Sequence, residues 1–136
     1  MGRKTVETLP RKLDNRYVIS ISENLKLTGK ETLVCENFNA ALREAETYLI
    51  EKRKHDDNSK IWVCGGQSIY NQAIQHPCCD GVVLDLLDNN ATGEYLFPYL
   101  GMKWEIQKEF QERQTFNGIE HKIKTVYYAN SRNFIK

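Results

Sequence analysis

The spacing of apolar positions changes several times along the chain, and each change predicts an element. Gly2 to Leu9 reads as a short helix that stops at Pro10, where the ring removes a backbone donor. Arg16 to Ser22 (RYVISIS) alternates and is β-branched, which predicts a strand; Glu31 to Cys35 predicts a second, shorter one. Asn37 is placed to cap a helix that carries Phe38, Ala41, Leu42, Ala45 and Leu49 at helical spacing and dissolves in the polar run KRKHDDNSK. Lys60 to Cys64 predicts a strand that ends at Gly65-Gly66. Ile69, Tyr70, Ala73 and Ile74 then mark one side of a helix ending at His76-Pro77. Val82 to Leu87 is apolar except for Asp85, as in a strand buried on both faces. Lys103 to Gln111 and Ile119 to Tyr128 alternate on either side of Asn117-Gly118, a strong hairpin signal. The order predicts an α/β fold: a mostly parallel central sheet, flanking helices and an antiparallel C-terminal hairpin.

Composition narrows the class. The 136 residues suit one domain, 1–136, with 40% hydrophobic and 27% charged residues. A net charge of +1 gives no basic field for nucleic acid. No apolar run approaches the ~20 residues of a membrane span, and the opening MGRKTV has no apolar signal core, so a cytoplasmic protein is expected. Cys35, Cys64, Cys78 and Cys79 form no Cys-x-x-Cys pair, and His55, His76 and His121 have no metal spacing. Free thiols and no metal are expected. Asn90-Ala91-Thr92 matches the glycosylation pattern but reads as loop in that setting.

Three places suggest chemistry. Gly65-Gly66 stands between a strand and a helix, where free N–H groups favour phosphate and glycine lets a ligand reach the backbone. The pattern is neither Gly-x-Gly-x-x-Gly nor a Walker loop, so a tight turn without a ligand stays open as the alternative. Arg3, Lys4 and Thr5 put two cations and a hydroxyl at the head of a short helix, suited to a phosphate or simply to a charged terminus. Arg16 opens a strand beside a turn, where a guanidinium can hold a carboxylate or lie exposed.

The ordered set Met1-Gly-Arg-Lys-Thr5, Thr8-Leu-Pro10, Arg11 to Arg16 followed by a strand and Ser22, Trp62 to Tyr70, His76-Pro77 and Glu94 to Pro98 resembles the dihydrofolate reductase family over nearly the whole chain, in a eukaryotic-like form. The resemblance implies NADPH-dependent reduction of dihydrofolate to tetrahydrofolate, with the small-molecule substrate as partner. It implies that Arg3, Lys4, Thr5, Ser22, Glu23, Gly65, Gly66, Gln67, Ser68, Ile69 and Tyr70 face the cofactor. Thr8, Leu9, Leu13, Arg16, Cys64 and Tyr70 would face the folate, with Arg16 on the α-carboxylate of the glutamate tail. It also implies a cis Gly65-Gly66 peptide.

The chain departs from the family pattern as well. Family members carry roughly forty to fifty residues ahead of the segment that begins here at Met1, within an ordinary domain size. Two sheet strands and the active-site carboxylate lie there. No catalytic acid is therefore assigned, and three explanations fit: a start read at an internal methionine, a fragment, or a partner polypeptide that supplies the absent strands. Glu23 stands where many members have an arginine for the 2′-phosphate, and Asp85 where they have a threonine. The rival readings are a non-catalytic nucleotide-binding remnant of this fold, and a reductase of the same fold acting on another pterin-like or pyrimidine compound.

Overall fold

The computed structural model describes residues 1–88 and 93–134, so Asn90-Ala91-Thr92 lies outside the described residues. It divides into two compact units, Met1–Ala73 and Ile74–Lys136.

In the first unit, α1 (Arg3–Glu7) is followed by β1 (Ile19–Ile21), β2 (Leu33–Cys35) and α2 (Phe38–Arg53), and then by the start of α3 (Gln67–Gln75). β1 and β2 are parallel, with Ile19, Ser20 and Ile21 opposite Leu33, Val34 and Cys35. On the other side of β1, Gly2 forms a parallel bridge with Ile21, and the Met1 carbonyl accepts from the Ile21 amide at 2.9 Å. The expected strand from Arg16 is shorter than its alternation suggests. The Val18 amide turns to the Thr32 hydroxyl (3.2 Å), so the ladder starts only at Ile19.

Local sequence sets α2 clearly. The Asn37 side chain accepts from the Ala40 amide at 2.8 Å, satisfying a donor the helix cannot satisfy itself. Phe38 and Ala41 are buried on its inner face, and Tyr48 stacks on Tyr17 with ring centroids 4.1 Å apart. Phe38, Ile69 and Ala73 form the core, with Ile21, Leu42 and Val63 packed against them.

The predicted strand Lys60 to Cys64 is not a strand here. Among the described residues Ile61 to Cys64 pair with no neighbour, and a strand exists only through its ladder. Ile61 and Trp62 are accordingly exposed, Trp62 to 65%.

The second unit is a three-stranded antiparallel sheet in the order β3-β5-β4, with β3 Gly81–Leu87, β4 Trp104–Phe116 and β5 Ile119–Asn130. The hairpin signal is met: Asn117 (φ 50°) and Gly118 (φ 79°) both take the left-handed conformation that a two-residue turn requires. The mostly parallel sheet is corrected, since the described parallel pairing is confined to the Met1–Gly2, β1 and β2 region. β3 pairs antiparallel with β5, and Val83, Leu86 and Leu87 are exposed, so β3 is not buried on both faces. Asp85 is also exposed and accepts from the Thr125 hydroxyl on β5 at 2.6 Å. The buried apolar residues of this unit, among those described, are Ile74, Trp104, Ile123, Val126 and Ala129. No helix among the described residues is long and apolar enough to cross a membrane.

The loop between β1 and β2 is organised by Glu31, which is buried. Its carboxylate accepts from the amides of Thr28 (3.1 Å) and Gly29 (3.0 Å) and from the Thr28 hydroxyl. Desolvation pushes the carboxyl up, but these hydrogen bonds outweigh it and hold it below the usual carboxylate range. Lys30 donates from the same loop to the carbonyls of Glu7 (2.7 Å) and Leu9, which fastens the loop to the end of α1. A carboxyl depressed in the folded state adds stability above its unfolded pKa and loses it as the pH falls through the folded value. Glu31→Gln is therefore expected to cost about 1–3 kcal/mol at pH 7 and to flatten the loss of stability on acidification, measured by denaturant titrations across pH 3–7.

Candidate functional site

The seam at Gly65-Gly66 is held from below by the head of α1. The Gly2 amide donates to the Gly65 carbonyl at 2.8 Å, and α3 starts immediately after, with the Tyr70 amide donating to the Gly66 carbonyl at 2.9 Å. The Gly65-Gly66 peptide is cis, and Gly65 has φ +103°, a conformation that side chains rarely adopt. A Cβ at either glycine would lie 3.6 Å from the Thr5 hydroxyl oxygen, so Thr5 faces both. The amides of Gln67, Ser68 and Ile69 precede the first residue with an intrahelical acceptor and form the electropositive end of α3.

Tyr70 closes one side. A Cβ at Gly65 would lie 3.5 Å from its ring, and burial, then the nearby Cys64 thiol, pushes its phenol above the ordinary tyrosine value. The hydroxyl stays neutral at physiological pH.

The two basic residues of α1 are placed differently. Arg3 is held by Glu7 at 2.6 Å, one helical turn on, whereas Lys4 is exposed and has no ion pair among the described residues. Ser22 is buried. Its hydroxyl donates to Asn24 Oδ1 at 2.8 Å and accepts from the Lys26 amide at 3.1 Å, so both hydrogen bonds stay inside the turn. Glu23 follows it and is exposed.

Beside this seam lies a cleft of about 1250 Å³, wholly within the first unit. Its walls include Ile19, Ile21, Val63 and Cys64; α2 contributes Phe38, Leu42 and Leu49. Of the residues expected to face the folate, Leu13, Arg16 and Cys64 line the cleft. Arg16 is exposed at its rim, with only a long 3.5 Å contact to the Asp14 carbonyl. Thr8 and Leu9 sit instead at the end of α1, where the Thr8 hydroxyl donates to the Thr5 carbonyl at 2.7 Å.

Two contributions are absent from the sequence reading. The inner face of α2 lines the cleft as well as the core, and its periodicity alone cannot separate those roles. Glu36 follows β2 and precedes the Asn37 cap, and its one signal is its place at a strand-to-helix junction.

A sequence model of the family described as dihydrofolate reductase matches residues 1–128. The dihydrofolate reductase of Mycoplasma genitalium is 27% identical over 121 residues, covering 86% of this chain and 69% of that protein. The enzyme of Aedes albopictus is 24% identical over 133 residues, covering 91% and 69%. That of Heliothis virescens is 32% identical over 101 residues, covering 72% of this chain and 53% of the relative. With a match through both units and this geometry at the paired glycines, the chain belongs to the dihydrofolate reductase family of oxidoreductases.

Proposed function

We propose that the paired-glycine seam binds the diphosphate of a nicotinamide dinucleotide and that the adjoining cleft takes dihydrofolate, with Arg16 on its glutamate tail. One observation carries this reading. The Thr5 hydroxyl, two glycines without Cβ atoms and the N-terminal amides of α3 lie together, between Cys64 and Ile69, which both line the cleft. Backbone donors at a helix N-terminus suit an anion, and a cleft walled by apolar side chains with charged ones such as Lys12, Arg16 and Lys52 among them suits a heterocycle with a charged tail.

The residues present fit the cofactor. A Cβ at Gly66 would meet only Thr5 within 4 Å, so a ligand can approach the backbone there. When bound, the nicotinamide supplies the hydride that reduces dihydrofolate. The chain's own residues bind and orient: α3 amides and Thr5 hold the diphosphate, Lys4 adds charge, and Tyr70 and Cys64 flank the entrance to the cleft. Arg16 fixes the substrate by its tail, which turns a collision into a held geometry. No described carboxylate is assigned the role of proton donor.

The cleft also supports a strand-supplying polypeptide. Ile61 to Cys64 are patterned as a strand yet unpaired, and Val63 and Ile19 face the cleft. A strand from polypeptide outside residues 1–136, in the same or another chain, would fill the space between β1 and this segment, and dihydrofolate would then be held at the rim that Leu13 and Arg16 supply rather than in that space. Four free cysteines suit a reducing, cytoplasmic setting.

The expected outcome is separable binding. By calorimetry, Arg16→Leu weakens dihydrofolate by about 1.5–3 kcal/mol, the worth of a charge-assisted hydrogen bond, and leaves dinucleotide affinity unchanged. Thr5→Val does the reverse, with a loss of about 0.5–1.5 kcal/mol for the dinucleotide. Parallel losses for both ligands in both variants would refute the assignment. Ligands in the cleft are also expected to shift the emission of exposed Trp62, and Trp62→Phe to remove that signal, whereas buried Trp104 stays silent.

A further inference from the structure

Three backbone runs travel in the same direction side by side: Met1–Gly2, β1 and β2. Gly2 bridges Ile21 in parallel, and Ile21 lies opposite Cys35. The Ser22 amide donates to the Cys35 carbonyl at 2.9 Å and closes the ladder at its carboxyl end. The residues just beyond the three runs therefore share one edge. After Gly2 comes α1 with Thr5, facing the paired glycines; after Ile21 come Ser22 and Glu23; after Cys35 comes Glu36. In parallel α/β sheets this carboxyl edge is where a nucleotide lies, and the side chains there read the ribose next to the diphosphate.

Both acidic side chains are exposed, and among the described residues neither Glu23 nor Glu36 makes an ion pair. Asn37 fixes the position of Glu36 by capping α2 immediately after it. The groups available to offset them are mostly engaged. Arg3 is on Glu7, Lys30 donates to the Glu7 and Leu9 carbonyls, and the Ser22 hydroxyl is buried within its turn. Lys4 and Lys26 remain among the residues that follow these runs, each an exposed ammonium on a flexible stem, and Arg43 of α2 lies near enough to Cys35 to act on its thiol, with Glu44 beside it as a counter-charge.

We propose that this edge selects a dinucleotide with a free ribose 2′-hydroxyl, so that NADH binds at least as tightly as NADPH, and that Glu23 and Glu36 are the specificity-determining residues. The inference rests on the paired-glycine seam being the dinucleotide site. A carboxylate accepts a hydrogen bond from a ribose hydroxyl, whereas a 2′-phosphate brings its charge against two carboxylates.

The test is calorimetric titration of the 136-residue chain with NADH, NADPH, 5′-AMP and adenosine 2′,5′-bisphosphate at low and physiological salt. NADH is expected to match or exceed NADPH, and 5′-AMP to exceed the bisphosphate, with the gap narrowing as salt rises. Glu23→Arg/Glu36→Arg is expected to move the NADPH-to-NADH affinity ratio towards NADPH by about tenfold or more, since two exposed repulsions become attractions. Glu23→Gln/Glu36→Gln moves it the same way by a smaller factor, and serves alone if the arginine pair disturbs folding. A wild-type preference for NADPH of about tenfold or more, or a ratio that neither double variant moves, overturns the proposal. If the wild type binds neither NADH nor NADPH, the dinucleotide site itself is refuted, and this inference with it.

Discussion

The hydrogen bond from the Gly2 amide to the Gly65 carbonyl, 2.8 Å long, is the contact on which the site depends. Gly2 is also the residue that bridges Ile21, so one residue ties the seam before α3 to the edge of the parallel pair. A Cβ at Gly2 would lie 3.6 Å from Ile69 and 3.7 Å from the Gly66 amide nitrogen, ordinary van der Waals contact that places Gly2 directly against the seam. The short α1 that comes next is too brief to hold itself by helix propagation. It is held by the chain on either side: Val6, fully buried, and Lys30, which reaches back to its last carbonyls. Thr5 is thus carried to the glycines by tertiary contacts.

That dependence explains why the seam reads so clearly and the walls of the cleft do not. The paired glycines announce themselves because a left-handed φ at Gly65 admits few other residues. Asn37 is equally direct, since a cap followed by apolar residues at helical spacing has one good local solution. The hairpin at Asn117-Gly118 belongs to the same group: two positive φ values demand this pair.

The failures have a different origin. Lys60 to Cys64 carries the composition of a strand, but a strand is a relation between two segments, and composition names only one of them. Val82 to Leu87 suggests burial on both faces, yet its pairing with β5 is antiparallel and Val83, Leu86 and Leu87 remain open. Arg3 shows a different limit. Its position in the sequence suits a phosphate or simply a charged terminus, and the structure adds a carboxylate one turn on, Glu7, as its partner. Ser22, which the family resemblance puts on the cofactor, makes two hydroxyl hydrogen bonds inside the turn after β1. Local conformational demands are legible in sequence; choices among partners are settled by what else is near.

On the proposed reading the site has two parts with different physical bases. Diphosphate recognition would use backbone amides of α3 and a hydroxyl on α1, and most side-chain exchanges leave backbone donors in place. Ribose recognition would rest on whichever side chains come after β1 and β2, at positions exposed to solvent and free of packing duties. Exchange at Glu23 or Glu36 alters charge without opening a cavity or breaking a cap, so the fold offers little resistance to it. The choice of ribose can therefore change while the diphosphate cradle stays fixed.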